Sequence, residues 1–287
     1  MPLTDKTKDK LEQFHCSMAK HSQGLPDQCS NTGALGTVGW KTLVSHIDML
    51  TLLFMWRILL LPYACIFKQV FIKQFVQIIH GSNIKDGPIY NMIITCKKYD
   101  LLDIVFDSID NGEYMKMIEW KNMVKNIIDS LECKKYKINC KMYKTLDLLS
   151  LDRDKVNILP WWVYCYKVPK HTVYCRKLVY LLLNVRRHGK TPCEFCYGEV
   201  NSILHIIFEC SAIDSLREEL WSHVKACSTL PFIESVDRMN AKDKCKFILN
   251  GFNVKYMHEW IYVYASMLKF IVKVYQYYVQ KVESLQL

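Results

Sequence analysis

Apolar residues recur at helical spacing along most of the chain, and this pattern predicts a mainly α-helical protein. In residues 41–79 the stripe is interrupted at Pro62, so this segment is predicted to be a helical hairpin. Ten glycines and eight prolines among 287 residues are too few for the many turns of an all-β protein. We therefore expect a multi-helix bundle. Further helices are predicted over residues 6–21, 90–99, 101–109, 113–133, 134–149, 176–187, 212–226 and 256–282.

Residues 29–40 depart from this helical pattern. Residues 29–33 are interpreted as a loop with cap-forming side chains, and residues 34–40 as a compact stretch that Gly36 and Gly39 interrupt. Glycine permits positive φ or a close approach of neighbouring groups, so these glycines are expected to do one or the other before the next helix.

The strongest chemical signal is a group of three cysteines and one histidine with the spacing C-x2-C-x8-H-x4-C, formed by Cys193, Cys196, His205 and Cys210. Soft nitrogen and sulfur ligands at this short spacing are typical of a tetrahedral Zn²⁺ site. Because the protein supplies all four positions, the predicted role is structural. The alternative is that these cysteines are ordinary thiols and the histidine belongs to the core.

The spacing within this motif also constrains the backbone. His205 and Cys210 are five residues apart, which is about 140° around an ideal helix. The helix that carries the histidine is therefore predicted to end or tighten near Glu209.

The other nine of the thirteen cysteines are scattered irregularly along the chain. The charged N-terminus lacks the apolar stretch of a secretory signal, so an intracellular protein with reduced thiols is expected. Most of these nine cysteines are predicted to be small buried hydrophobic residues.

Residues 49–67 are almost long and apolar enough to span a bilayer. Arg57 and Pro62 lie within them, and a charged side chain at the bilayer centre costs about 2.5–3.5 kcal/mol on insertion scales. The segment is therefore interpreted as a buried helix with no membrane partner, and a membrane span is the alternative.

The charge of the chain favours a polyanionic partner, since the net charge is +10. Residues 164–192 contain seven lysines and arginines, no acidic residue and several tyrosines. Such residues neutralise phosphates and stack on unpaired bases, so RNA or single-stranded DNA is the predicted partner. A solvated helix face beside aromatic core residues is the alternative. The predicted nucleic-acid contacts are Lys170, Arg176, Lys177, Arg186, Arg187 and Lys190.

Motifs for catalysis are absent from the sequence. There is no Asp-Asp dipeptide, Gly-rich phosphate loop, nucleophile elbow or His-Glu-x-x-His motif. Asp107, Asp110 and Glu119 weakly resemble a metal-dependent nuclease group, but they lie in amphipathic helical sequence. We therefore expect no enzymatic activity.

The metal motif and its surroundings resemble the C-terminal region of the reverse transcriptase of non-long-terminal-repeat (non-LTR) retrotransposons. The resemblance rests on the four ligand positions, on the apolar residues around His205, on the charged helix over residues 216–220 and on residues 178–189. A weaker match over residues 11–59 resembles the segment that follows the polymerase thumb in that family.

This resemblance implies a reverse-transcriptase zinc-binding module that helps to hold template RNA or target DNA. It also implies a nuclear protein, with the cytoplasm as the alternative, and a retrotransposon polymerase as a partner. Because the polymerase aspartates are absent, the expectation is a non-catalytic, domesticated fragment. The alternative function is a structural or interaction protein, or a decayed reading frame with no present activity.

The patterns together divide the chain into four predicted segments. Residues 1–40 form an N-terminal helix and glycine-punctuated loop, and residues 41–158 form a helical region. Residues 159–228 hold the basic segment and the metal motif, and residues 229–287 form C-terminal helices.

Overall fold

All the regular elements in the described part of the computed structural model are helical, which confirms the mainly α fold class. The structure describes residues 5–81, 84–143, 146, 149, 156–183, 192–193, 195–198, 204–227, 233–234, 237–240, 243–244 and 257–284. The α-helices are α1 (Asp5–Gln23), α2 (Asn31–Val38), α3 (Leu43–Leu59), α4 (Ile66–Ile79), α5 (Pro88–Lys98), α6 (Leu102–Asn111), α7 (Met117–Met142), α8 (Pro160–Lys167), α9 (Thr172–Leu182), α10 (Asp214–Cys227) and α11 (Met257–Ser284). Two 3₁₀ turns (Pro169–His171 and Ser211–Ile213) and a π turn (His205–Glu209) accompany them.

The chain divides into two compact units that are discontinuous in sequence. The first unit consists of Met1–His15 and Lys41–Lys134, and the second consists of Cys16–Trp40 and Lys135–Leu287. The four-segment division of the chain made from the sequence stays a prediction.

Two stacked tryptophans lie at the centre of the first unit. The rings of Trp56 (α3) and Trp120 (α7) are 4.0 Å apart between centroids and nearly parallel, and both side chains are fully buried. Each indole N–H donates to a backbone carbonyl, Trp56 to Met115 and Trp120 to Leu52, at 3.1 Å in both cases. Their burial therefore leaves neither polar atom unsatisfied.

The predicted hairpin of residues 41–79 is confirmed, and it consists of α3 and α4 with a break at Leu60–Cys65 around Pro62. The interpretation of residues 49–67 as one buried helix is wrong in its second half. Helix α3 ends at Leu59, and Tyr63 and Phe67 are 75% and 73% exposed. No single described helix is long and apolar enough to cross a membrane, although the bent pair of α2 and α3 passes that test together.

Within residues 29–40, Asn31–Val38 form a helix, α2, where a loop and a compact stretch were expected. Ser30 caps the N-terminus of α2 by accepting a hydrogen bond from the N–H of Gly33, and Gly39 ends the helix at φ 69°. A Cβ on Gly36 would lie 2.1 Å from the ring of Tyr136, which is why this helix tolerates a glycine in its interior. The expected roles of the glycines, positive φ and close approach, are both confirmed.

Helix α7 corrects a second prediction, since residues 113–133 and 134–149 were expected to form separate helices. A single helix runs through Met117–Met142. No glycine or proline interrupts the chain around Cys133 and Lys134, so nothing ends the helix there.

The core of the second unit lies among α8, α9, α10 and α11. Helix α11 packs against both α9 and α10. The buried side chains include Leu178, Val179 and Leu182 of α9, Leu220 and Val224 of α10, and Leu268, Ile271 and Val274 of α11. This core is the scaffold on which the Cys/His motif is built.

Candidate metal centre

The structure brings the four residues of the Cys/His motif together. Their ligand atoms all lie within 4.8 Å of one another, so the group could hold a metal ion, as the sequence predicted. The sulfurs of Cys193 and Cys210 are 3.8 Å apart, and the sulfur of Cys196 is 3.2 Å from Nε2 of His205. Cys193 and Cys210 are fully buried, whereas Cys196 and His205 are partly exposed.

A tight loop presents the first two cysteines. The N–H of Cys193 donates to the carbonyl of Gly198 at 2.9 Å, and the N–H of Tyr197 donates back to the carbonyl of Cys193 at 2.7 Å. Tyr197 adopts a left-handed conformation with φ 59° to close this loop. The N–H of Gly198 then donates to the sulfur of Cys196 at 3.4 Å.

This backbone hydrogen bond prepares Cys196 to act as a thiolate. The pKa of Cys196 is lowered to about 7, chiefly by the hydrogen bond from the N–H of Gly198 and also by hydrogen bonds with His205, Cys193 and Cys210, although burial opposes this shift. A Cβ on residue 198 would lie only 3.2 Å from the sulfur of Cys196, so a side chain there would crowd the ligand.

The pKa of Cys210 is shifted in the opposite direction. Burial, together with its proximity to Cys193, raises its pKa to about 12, although the backbone N–H of Ala212 opposes this rise. A metal ion that binds here must therefore displace a proton from the Cys210 thiol, and metal affinity should depend on pH.

The His205–Glu209 segment is a π turn, and this geometry explains how His205 and Cys210 reach one site. The N–H of Cys210 donates to the carbonyl of His205 at 2.7 Å, five residues earlier. The helical segment ends at Glu209, which is one of the two predicted alternatives, and it does so without the tightening that was the other. The turn widens instead, and this brings residue 210 back above residue 205.

Two charged residues support the ligands from behind. An oxygen of Glu209 is 3.6 Å from Nδ1 of His205, so the carboxylate faces the ring nitrogen that points away from Cys196. Arg217 donates to the carbonyl of Cys210 and forms an ion pair of 2.6 Å with Asp214. The hydrogen bond from Arg217 fixes the backbone at Cys210, and the nearby carboxylate of Glu209 favours a ring orientation in which Nδ1 of His205 faces it.

The structure describes three of the six basic residues that were predicted to contact nucleic acid. Lys170 is exposed on the 3₁₀ turn. Arg176 donates to the carbonyl of Ser22 at 3.1 Å, and the ammonium of Lys177 lies 4.4 Å from the ring centroid of Tyr275. The other three, Arg186, Arg187 and Lys190, lie outside the described residues.

A basic cluster around His171 was missed by the sequence reasoning. Partial burial lowers the pKa of His171, and the charges of Lys170 and of Lys269 on α11 lower it further. The hydroxyl of Tyr164 lies 2.7 Å from Nδ1 of His171, and the ring of Tyr174 stacks on the histidine at 5.3 Å. Lys269 is almost 100 positions from Lys170 in the sequence. The one sequence signal for its part in this cluster is that it is a charged residue in a largely apolar helix.

The supporting groups of the metal centre were also missed. Gly198, Glu209 and Arg217 act through a backbone N–H, a carboxylate and a guanidinium whose positions depend on local turns. Among these three residues, only Glu209 could have been suspected from the sequence, because it directly precedes Cys210 of the motif.

The acidic residues that weakly resembled a nuclease group are not gathered into a metal-binding group. Asp107 and Asp110 are exposed on α6, and Glu119 accepts a hydrogen bond of 3.1 Å from the N–H of Lys116. Within the described ranges, the Cys/His cluster is the one group of three or more ligating side chains found close together.

Comparison with known proteins gives this chain no relative. No family model matches it, and no curated protein or solved structure matches it either. The resemblance to a retrotransposon reverse transcriptase therefore stays a prediction from the motif and its neighbouring residues.

Proposed function

We propose that the Cys/His cluster is a structural zinc centre. In a tetrahedral site with Zn–S bonds of about 2.3 Å and Zn–N bonds of about 2.0 Å, neighbouring sulfurs are about 3.8 Å apart and a sulfur and a nitrogen about 3.5 Å. The 3.8 Å between the sulfurs of Cys193 and Cys210 agrees with this geometry. The 3.2 Å between Cys196 and His205 is slightly short, and a small outward rotation of either side chain corrects it.

The ligand types support zinc over other common metals. Three sulfurs and one imidazole form a soft ligand set, whereas Ca²⁺ and Mg²⁺ prefer oxygen ligands. All four positions come from the protein, so the proposed ion has no open position for a reacting water and its role is structural.

The proposed ion stabilises the second unit by joining two of its segments. It joins the loop that contains Cys193 and Cys196 to the π turn that leads into α10. Phe195, between the two cysteines, stacks on Tyr277 of α11 with ring centroids 5.7 Å apart. The metal would therefore hold this loop in place against the helices of the core.

We infer that the zinc-stabilised unit binds RNA or single-stranded DNA and catalyses no reaction. The observation that carries this proposal is the exposure of Lys170 and Lys269, on two different elements, near His171, whose ring stacks on Tyr174. A phosphate placed between these lysines would be attracted to both. The net charge of +10 would strengthen the attraction at long range.

The motif resemblance supports a more specific form of this proposal. The chain would be a nucleic-acid-binding remnant of a non-LTR retrotransposon reverse transcriptase, it would act in the nucleus, and a retrotransposon polymerase would be its partner. This form rests on the ligand spacing and the neighbouring segments described above.

The salt dependence of binding tests the proposed interface. Fluorescence anisotropy would follow the binding of a labelled single-stranded RNA and of a DNA of the same sequence at increasing KCl. The double variant Lys170→Gln/Lys269→Gln should weaken binding and reduce the slope of log K against log [KCl] by about 1.4, since each lost phosphate contact contributes about 0.7.

A matched control removes the same charge elsewhere in the second unit. Lys135 and Lys141 are exposed on α7, and Lys135→Gln/Lys141→Gln should leave that slope nearly unchanged. Equal effects of the two double variants would mean that only net charge matters. No binding at low salt by the metal-loaded protein would favour a structural or interaction protein.

A further inference from the structure

An apolar surface is exposed at the turn between α3 and α4, in the first unit. We call residues 60–67 the hairpin tip. Tyr63, Ile66 and Phe67 of the tip are 75%, 66% and 73% exposed, and Leu60 and Leu61 are also exposed. Leu50 and Phe54 of α3 and Val70 of α4 are also exposed.

This surface is a fixed part of the fold. The N–H of Leu61 donates to Ile58, the N–H of Cys65 donates to Pro62, and the side-chain amide of Gln69 donates to the carbonyl of Tyr63 at 3.0 Å. The inner sides of the two helices are already occupied, since Trp56 and Phe75 are fully buried in the core. The exposed side chains therefore cannot turn inward without disrupting that core.

The exposed apolar area at the tip is comparable to the largest patch on a typical monomer. With about 200 Å² for each ring side chain, Tyr63, Phe67 and Phe54 alone expose about 400 Å². The largest apolar patch on a typical monomer is about 300–600 Å², and the neighbouring aliphatic residues extend this one further. A patch of this size usually marks an interaction site.

The charges on the two helices that carry the tip indicate what covers it. No acidic residue occurs between Asp48 and Asp86, whereas Arg57 and Lys73 are exposed on the same two helices. A second copy of this surface would bring like charges together. An anionic surface would instead pair with both cations while it covers the apolar side chains.

We propose that the hairpin tip inserts into the interfacial region of an anionic lipid bilayer. Tyr63, Ile66 and Phe67 enter the boundary between headgroups and acyl chains, and Arg57 and Lys73 contact lipid phosphates from either side. The chain lies on the membrane without crossing it. This proposal is independent of the nucleic-acid interface, which lies in the second unit.

Vesicle co-sedimentation tests the proposal on the full, metal-loaded chain. The wild type should bind phosphatidylcholine vesicles that contain phosphatidylserine much better than vesicles of phosphatidylcholine alone. The variant Tyr63→Ser/Phe67→Ser keeps every charge and should bind the anionic vesicles at least about tenfold more weakly, because two aromatic groups no longer enter the bilayer. Circular dichroism checks that this variant keeps its helices.

Tyr166 provides a matched control, since it is 89% exposed on α8 of the second unit. Tyr166→Ser should bind the vesicles like the wild type. In a second measurement, Tyr63→Trp should add fluorescence that brominated acyl chains quench, which reports insertion directly.

Three results would overturn the proposal. Equal vesicle binding by the wild type and the double serine variant would show that charge alone attracts the protein. Absence of binding to anionic vesicles would exclude a lipid partner. A dimer in light scattering that Tyr63→Ser/Phe67→Ser dissociates, with no vesicle binding, would assign the surface to a second copy of the chain.

Discussion

The close approach of Gly39 to a neighbouring segment gives a sharp test of the packing in the second unit. Gly39 ends α2 at φ 69°, and its N–H and that of Trp40 donate to the carbonyls of Gly36 and Leu35. A Cβ at this position would lie 2.0 Å from the backbone nitrogen of Ile158. We therefore expect Gly39→Ala to destabilise the protein in two ways.

The magnitude follows from two separate costs. A non-glycine residue in the left-handed region costs roughly 1–2 kcal/mol. Overpacking adds about 1–3 kcal/mol, and here the obstacle is backbone. The neighbouring segment cannot move away freely, because the N–H of Leu159 donates to the carbonyl of Thr37 at 3.1 Å. The expected loss for Gly39→Ala is about 3 kcal/mol.

Gly112 is a matched control for the backbone conformation. It ends α6 at φ 68°, and a Cβ there would meet nothing within 4 Å. Gly112→Ala should therefore cost only the conformational part, roughly 1–2 kcal/mol. Asparagine tolerates this conformation better, so Gly112→Asn should cost less than Gly112→Ala, whereas Gly39→Asn should still be strongly destabilised.

Urea denaturation followed by far-UV circular dichroism measures these free energies of unfolding. The curves are fitted with one transition or two, as their shape requires, because the two glycines lie in different units. Equal losses for Gly39→Ala and Gly112→Ala would contradict the close approach of α2 to residues 157–159.

Two further predictions concern the metal centre and the basic cluster. Glu209→Gln should lower metal affinity about tenfold in a chelator competition, because the carboxylate beside His205 is lost. Glu218→Gln, at an exposed position of α10, should leave the affinity unchanged. Equal metal affinities of the two variants would refute this role of Glu209. Burial and the nearby lysines lower the pKa of His171 in the folded protein below its ordinary value of about 6.5. The contribution of this histidine to the free energy of unfolding is therefore complete above pH of about 6.5, and it is lost as the pH falls through the lower folded pKa. In an NMR titration Lys170→Gln should raise that pKa, and an unchanged value would contradict the cluster.

The helical fold could be predicted because local patterns determine much of it. The apolar stripe of the α3–α4 hairpin and the break at Pro62 can be recognised in the sequence without knowledge of the tertiary structure. Helix α2 was missed because Gly33 and Gly36 argue against a helix locally. Their reason lies 100 or more residues away, in the side chains of Tyr136 and Leu183 that approach the helix.

The composition of the two units was also beyond local patterns. Residues 16–40 belong with residues 135–287, although residues 41–134 separate them in the chain. No turn signal or change of composition marks such a pairing, since it depends on long-range packing. The exposure of Tyr63 and Phe67 was hidden for the same reason, because an apolar run looks the same whether it is buried or exposed.

The Cys/His group could be predicted because its spacing is itself a chemical signal. The convergence of Cys193, Cys196, His205 and Cys210 confirms that they form a group that could hold a metal ion. The π turn could not be foreseen, since a five-residue separation suggests a tightened helix as readily as a widened one. Lys269 could not be assigned to the basic cluster, because a polar position on a helix does not reveal its neighbours.

Metal content after purification in a zinc-containing medium tests the central claim most directly. The wild-type chain should carry about one zinc ion, and Cys196→Ser should lose it, since the serine hydroxyl is a poor zinc ligand at neutral pH. Cys65→Ser is the control, because Cys65 is also partly exposed but lies outside the cluster. A zinc content that is the same in Cys196→Ser and the wild type, or that is absent from both, would contradict the account.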